Sequence, residues 1–374
     1  MFYKNARIFC SDFQFHTGAF EVTDGRFGQV LPQNVPEDAV DLKGATVIPG
    51  LVEVHSHGNS GADFSDGKPE GLRTMGRYLA ENGVTSFAPA SMTLPYETLA
   101  AAFATAVAYR QEGAPGHARL MGIQMEGPFF SEKKKGAQNG AYLKDPDFEA
   151  FKKLYEGCEG LVRIVDVAPE LPGAAEFSAK ASELCTVSVA HTDATYEQAA
   201  AVFQNGARHL THLFNAMPPI HHRKPGVIGA AAERECVTAE LICDGLHVHP
   251  SVVRMAFKLF PGRICLVSDA LRCCGMPDGE YELGGQPVFL KDGIARLADG
   301  TIAGSASNLY SCMRNAIDFG IPAAEAINAA TITPARQLGR DSEIGSIEEG
   351  KLADFVVCDE ALRRKAVYIG GVKL

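Results

Sequence analysis

No stretch of this 374-residue chain approaches the roughly 18 consecutive apolar residues of a membrane-spanning helix. The N-terminus, MFYKNARIFCSDF, lacks the apolar run of a secretory signal. A surplus of positive charge is also missing: 35 Lys and Arg face 45 Asp and Glu, for a formal net charge of −10. That balance excludes a general binder of nucleic acid or anionic membrane, so any anion must be met by a local basic patch. Low-complexity tracts and long Ser/Pro linkers are absent. The 10 cysteines include no CxxC pair. Cys185, Cys243 and Cys265 lie in apolar runs, where a reduced thiol packs as a small hydrophobe, and the adjacent Cys273 and Cys274 do not form an ordinary bridge pattern. The expectation is a soluble cytoplasmic protein with free thiols. What is present is an ordinary globular mix, 46% hydrophobic and 21% charged. It suits one large domain, or one large and one small.

Short apolar, β-branched runs recur along the middle of the chain: Val52–His55, Thr85–Ala90, Leu120–Gly127, Val162–Glu170, Thr186–Thr192, His209–Asn215, Thr238–Gly245 and Arg263–Ala270. Alanine-rich segments of helical period separate them, among them Pro69–Asn82, Tyr96–Glu112 and Tyr196–Asn205. Continuous apolar runs mark strands covered on both faces. Eight strand–helix units predict an α/β fold, a parallel (β/α)8 barrel, over residues 49–344. The ends differ. Residues 1–48 and 345–374 carry short strand signals and no convincing helix, which predicts one small β-sandwich domain built from both termini.

Barrel chemistry sits at the C-terminal ends of the strands. Residues i and i+2 of an extended chain share a face, so His55 and His57, ending the first strand, can reach one point. Glu126 ends the third strand, His191 the fifth and His212 the sixth. Asp244 and His247 follow the seventh, and Asp269 ends the eighth. Imidazole and carboxylate suit zinc, iron, nickel or cobalt, and two ions sharing one carboxylate are feasible. His209 lies at the start of its strand, away from the active rim, and reads as structural. His16 and His117 read as surface or structural, and His249, before Pro250, as the start of a helix.

The motifs then become specific. VIPGLVEVHSHG, MEGPFFSEKKKGAQN, VAHTDATYEQ, HLTHLFNAM, ICDGLHVHP, LVSDALRCCG and GSIEEGKLADFVV run in order along nearly the whole chain. Together they resemble the amidohydrolase superfamily and, within it, the N-acetylglucosamine-6-phosphate deacetylases. HxH and GKLADFVV are shared by many amidohydrolases. EGPF, HLFNAM and DGxHVHP are much more specific. The resemblance implies the barrel with its split β domain. It also implies hydrolysis of the N-acetyl group of N-acetylglucosamine 6-phosphate to glucosamine 6-phosphate and acetate, in amino-sugar metabolism. Carried over by position, Glu126, His191 and His212 hold one divalent metal. His55 and His57 favour a second, of zinc, iron or similar. Asp269 is the catalytic acid/base. Asn215, Ala216, Arg223 and His247 match substrate-binding positions, and Ala137, Asp244, Gly245, Leu246, Ile302, Ala303 and Gly304 match substrate-lining stretches. Arg223, in a basic loop with His221, His222 and Lys224, is the phosphate anchor. Relatives can borrow this arginine from a neighbouring subunit, which implies a homodimer. The Lys133–Lys135 run reads as a charged lid.

Two departures stand out. Gln138 replaces a histidine that many relatives use against the acetyl carbonyl, so the residue stays in the pocket as a neutral donor. SASNLYSCMRN differs from the usual form of its motif. N-acetylgalactosamine-6-phosphate is the close alternative substrate. A cyclic-amide hydrolase fits less well, because VRIVDVAPE offers no lysine to bridge two metals. A non-catalytic metal or sugar-phosphate binder fits poorly with a full ligand set and Asp269 in place.

Overall fold

The computed structural model describes all residues, 1–374. Eight parallel barrel strands occur in the expected order: Leu51–Glu53, Val84–Phe87, Ile123–Met125, Val162–Val167, Thr186–Val189, His209–Leu210, Thr238–Ile242 and Ile264–Val267. The third to eighth pair side by side, and the first pairs with the second. Two parallel bridges, Ala90 to Gln124 and Ser56 to Ala270, join these parts into a closed ring. One α-helix follows each of the first seven strands, and three, Leu309–Asp318, Ala323–Ala330 and Ile332–Gln337, follow the eighth. Pro69–Glu81 and Tyr96–Glu112 match the sequence period within a residue. Tyr196–Gln204 begins at a capping box, in which Thr195 and Gln198 each satisfy an orphan N–H of the other. Tyr96–Glu112 buries Leu99, Ala102, Phe103, Ala106 and Tyr109, the spacing of one helical face. No helix is long and apolar enough to cross a membrane.

The barrel interior is not wholly apolar. Glu53, Gln124, Asp166, Ser188, His209 and Glu240 are completely buried within strands that otherwise carry Val, Ile and Leu. Val52, Val54, Ile164, Ile242 and Val267 form an apolar cluster with Ala335, Leu338 and Ile344. The barrel strands therefore bury polar side chains alongside apolar ones.

Both termini share one curled sheet. Phe2–Phe9 pairs with Phe15–Thr23 and with Thr46–Pro49, which in turn pairs with Phe355–Cys358. The sheet curls until the Phe27 N–H donates to the Lys351 carbonyl at 2.8 Å. It encloses Tyr3, Phe20, Phe27 and Phe355 as its own core, with the Phe355 ring 4.3 Å from Tyr368.

One element was not expected. After the eighth strand the chain forms a four-stranded antiparallel sheet, Gly279–Leu283, Gln286–Lys291, Ile294–Leu297 and Ile302–Ser305. Gly284–Gly285, Asp292–Gly293 and Asp299–Gly300 make its turns, each supplying a positive φ. This flap stands over the barrel mouth: Gln286 Nε2 donates to the Ala137 carbonyl at 2.7 Å.

Candidate metal and substrate site

Glu126 follows the third strand directly, and His55 and His57 stand two and four residues past the first. His191, His212 and Asp269 each stand two residues past the fifth, sixth and eighth strands. The strands are shorter at this end than their apolar runs suggest, because the chain turns away there. His191, His212 and Asp269 have positive φ, of 42°, 31° and 48°. Non-glycine residues adopt this conformation at a cost on the order of 1–3 kcal/mol, and they persist where neighbours impose it. For Asp269 the neighbours are clear. Its N–H donates to the His55 carbonyl at 2.9 Å, and its carbonyl accepts from Ser305 N–H at 2.8 Å.

Glu126 is the centre. Its Oε1 lies 3.1 Å from both His191 Nε2 and His212 Nε2, and those two nitrogens lie 3.1 Å from each other. On the other side, His57 Nε2 is 3.3 Å from Glu126 Oε2, and His55 Nε2 is 3.4 Å from Oε1. Asp269 Oδ1 is 3.3 Å from His57 Nε2 and 3.6 Å from His55 Nε2. All six side chains are buried. Burial alone would push the Glu126 carboxyl up. In metal-free protein the charge of His55 and the hydrogen bonds from His191 and His212 outweigh it, holding the group well below the usual range. Asp269 is also lowered: burial opposes ionisation, but His57 and His55 prevail.

The donor set fits metal ions. Glu126, His191 and His212 form one group with ligand atoms within 4.8 Å of each other, and His55, His57 and Glu126 form another. The Nδ1 atoms of His57 and His191 face backbone carbonyls, Ala90 at 3.2 Å and Lys134 at 2.9 Å. With an ion bound, that arrangement would keep the proton on Nδ1 and leave the Nε2 lone pair to ligate the ion. His55 Nε2 is buried without a hydrogen-bond partner, an orphan that a cation would satisfy.

The pocket above this centre holds about 330 Å3, within the range of small-molecule sites. Ala137, Gln138, Asn215, Ala216, His247, Ile302, Ala303 and Gly304 line it. Gln138 is already engaged: its Nε2 donates to Glu126 Oε2 at 2.6 Å, and its Oε1 accepts from Thr93 N–H at 2.7 Å. His247 is oriented by Asp244, with Nδ1 2.6 Å from Asp244 Oδ2. Burial pulls the His247 imidazole down, but Asp244 more than reverses this and raises it above its ordinary value.

Not every expected residue converges. Asp244 serves His247 from behind, and Gly245 and Leu246 are exposed outside the pocket wall. Arg223 is exposed in the loop after the sixth strand, outside the pocket of its own chain. Conversely, Lys133 and Lys134 line the pocket, which places part of the supposed lid in its wall. Lys133 also faces Asp193 at 3.3 Å. Met92, Gly136, Leu283 and Thr301 complete the wall and were missed. The last two come from the flap.

Three other histidines have structural partners. His209 Nε2 is 3.0 Å from Glu240, His16 pairs with exposed Asp12, and His249 caps the helix Pro250–Leu259. All ten cysteines are free. Burial pushes the Cys273 thiol up to about 11 and Cys274 up to about 12, and neither lines the pocket.

Comparison with known proteins agrees with this architecture. The amidohydrolase family model matches residues 46–373. The N-acetylglucosamine-6-phosphate deacetylase of Bacillus subtilis is 37% identical over 319 residues, 84% of this chain and 80% of that protein. The N-acetylgalactosamine-6-phosphate deacetylase of Escherichia coli O157:H7 is 34% identical over 352 residues, 94% of this chain and 93% of its own. Among solved structures, the Mycobacterium smegmatis N-acetyl-D-glucosamine-6-phosphate deacetylase superposes with a TM-score of 0.93 at 32% identity. The match covers 100% of this chain and 98% of that one, whose structure holds N-acetyl-D-glucosamine-6-phosphate. By sequence, fold and the barrel-mouth site, the chain belongs to the amidohydrolase family and groups within it with the amino-sugar-phosphate deacetylases.

Proposed function

We propose that this protein hydrolyses the N-acetyl group of N-acetylglucosamine 6-phosphate, releasing acetate and glucosamine 6-phosphate. The observation that carries the reading is one buried carboxylate, Glu126, shared by two pairs of histidines, with Asp269 beside them at the floor of an open pocket. Glu126, His191 and His212 would hold one divalent ion, and His55, His57 and Glu126 a second. When bound, such ions acidify water and polarise carbonyl oxygens, supplying a nucleophile near neutral pH.

The protein's own groups do the rest. Asp269 takes a proton from the attacking water and delivers it to the departing nitrogen, whose expulsion is otherwise slow. His247, held by Asp244, and the remaining N–H of Gln138 are the donors available to the acetyl oxygen as it gains charge. Asn215 and Ala216 meet the sugar phosphate, and Lys133 and Lys134 add positive potential to the mouth of an acidic protein. Arg223 matches phosphate in a bidentate fashion. Its exposed position outside its own pocket supports service to the pocket of a second copy, and hence a homodimer. The substrate class and the free thiols suit a cytoplasmic enzyme.

The Escherichia coli relative makes N-acetylgalactosamine 6-phosphate the second substrate to test. Acetate release should be followed with both sugar phosphates and with unphosphorylated N-acetylglucosamine. The reading expects the highest kcat/KM on N-acetylglucosamine 6-phosphate. A clear preference for the galacto sugar reassigns the substrate, and no release from either refutes the deacetylase reading.

A further inference from the structure

Glu240 and His209 belong to neither ligand group, yet both are completely buried inside the barrel. A carboxylate stripped of water needs strong donors. Glu240 has three. His55 Nδ1 is 2.8 Å from Oε2, and the backbone N–H of His212 donates to the same oxygen at 3.1 Å. His209 Nε2 is 3.0 Å from Oε1. Among the four ligand histidines, His55 alone has a carboxylate behind it. His57 and His191 lean on neutral carbonyls, and His212 Nδ1 has no partner.

An ionised carboxylate accepts and never donates. It therefore keeps the imidazole proton on His55 Nδ1 and turns the lone pair of Nε2 forward. That nitrogen is buried, makes no hydrogen bond, and faces Glu126 at 3.4 Å and Asp269 at 3.6 Å. We propose that Glu240 is a positioning residue for the His55–His57 ion. It fixes the tautomer and orientation of His55 and strengthens it as a donor, while His209 anchors the other carboxylate oxygen. The relay His209–Glu240–His55 crosses the barrel interior beneath the mouth and gives His209 a role. The inference rests on the two-ion reading above. Glu240 reaches His212 only through the backbone, so the Glu126–His191–His212 ion depends on it far less.

The test is zinc binding to the full chain, by elemental analysis after dialysis and by competition with a chelator. Wild type should bind two zinc ions. Glu240→Gln, which preserves shape, should weaken one of them on the order of 10- to 100-fold, the usual effect of losing such a partner, and leave the other unchanged. His209→Ala should weaken the same ion less, and His209→Gln, which can still donate, less again. It also reads the relay from its far end should Glu240→Gln fail to fold. Unchanged affinity for both ions in the variants that fold overturns the proposal. So does equal loss of both ions, or a wild type with one. Acetate release by the same wild-type preparation reads the functional assignment separately. An enzyme that turns over with one ion keeps the function and loses the relay.

Discussion

Replacing Asp269 with asparagine isolates proton transfer from everything else at the site. The backbone holds residue 269 through its hydrogen bonds with His55 and Ser305, and neither depends on the side-chain charge. The side chain is 12% exposed, so asparagine of nearly equal volume should occupy the same place. It cannot accept a proton near neutral pH. General acid–base contributions run from about 10²- to about 10⁴-fold. At roughly 1.4 kcal/mol per decade, that is about 3–5 kcal/mol of transition-state stabilisation. The Glu126–His191–His212 group does not include Asp269, so an ion held there should remain. The assay is acetate release paired with metal analysis of the same sample. The account expects kcat to fall at least about 100-fold, with KM little changed and that ion retained. A variant that retains the ion and turns over within about tenfold of wild type refutes the assignment.

Other expectations follow from the same geometry. Arg223→Ala should raise KM for the phosphorylated sugar about 10- to 100-fold, matching the loss of a charge-assisted bond of about 1.5–3 kcal/mol. Equal effects on the unphosphorylated sugar would contradict a phosphate role. Phe355→Ala, in the terminal sheet core, should lower unfolding free energy by about 3–5 kcal/mol, measured by denaturant titration. A loss under about 1 kcal/mol would mean the site collapses without a cavity. Burial, reinforced by Glu126 and Glu240, pushes the Asp166 carboxyl up to about 8. Its contribution to stability is complete below its unfolded value of about 3.9 and is lost as pH rises through about 8. In metal-free protein, Asp166→Asn should flatten the decline of Tm between about pH 5 and pH 8, and an unchanged profile would show that Asp166 is ionised.

Much of the site was legible because a barrel converts sequence position into space. A polar residue closing an apolar run stands at the mouth, so His55, His57, Glu126, His191, His212 and Asp269 could be placed together. The supporting layer was hidden by the same logic. Glu240, Asp166 and Glu53 sit inside apolar strands, and only the register of eight strands brings Glu240 under His55. The signal was present as a lone acid in TAELI and another in VRIVDV. The flap was hidden for a different reason. Its alternating strands and Gly-containing turns were readable locally, but local pattern does not say which surface a hairpin covers. Arg223 was named from its motif, but within one chain its exposed loop lies outside the pocket.

The most direct measurement follows acetate and glucosamine 6-phosphate by NMR from chelator-treated protein, before and after stepwise return of a divalent ion. The account predicts no turnover when the ion is removed. It predicts recovery on its return, with both products formed in equal amounts from N-acetylglucosamine 6-phosphate. Full turnover by fully stripped protein, or none after reloading, would contradict metal-dependent deacetylation at the Glu126 centre.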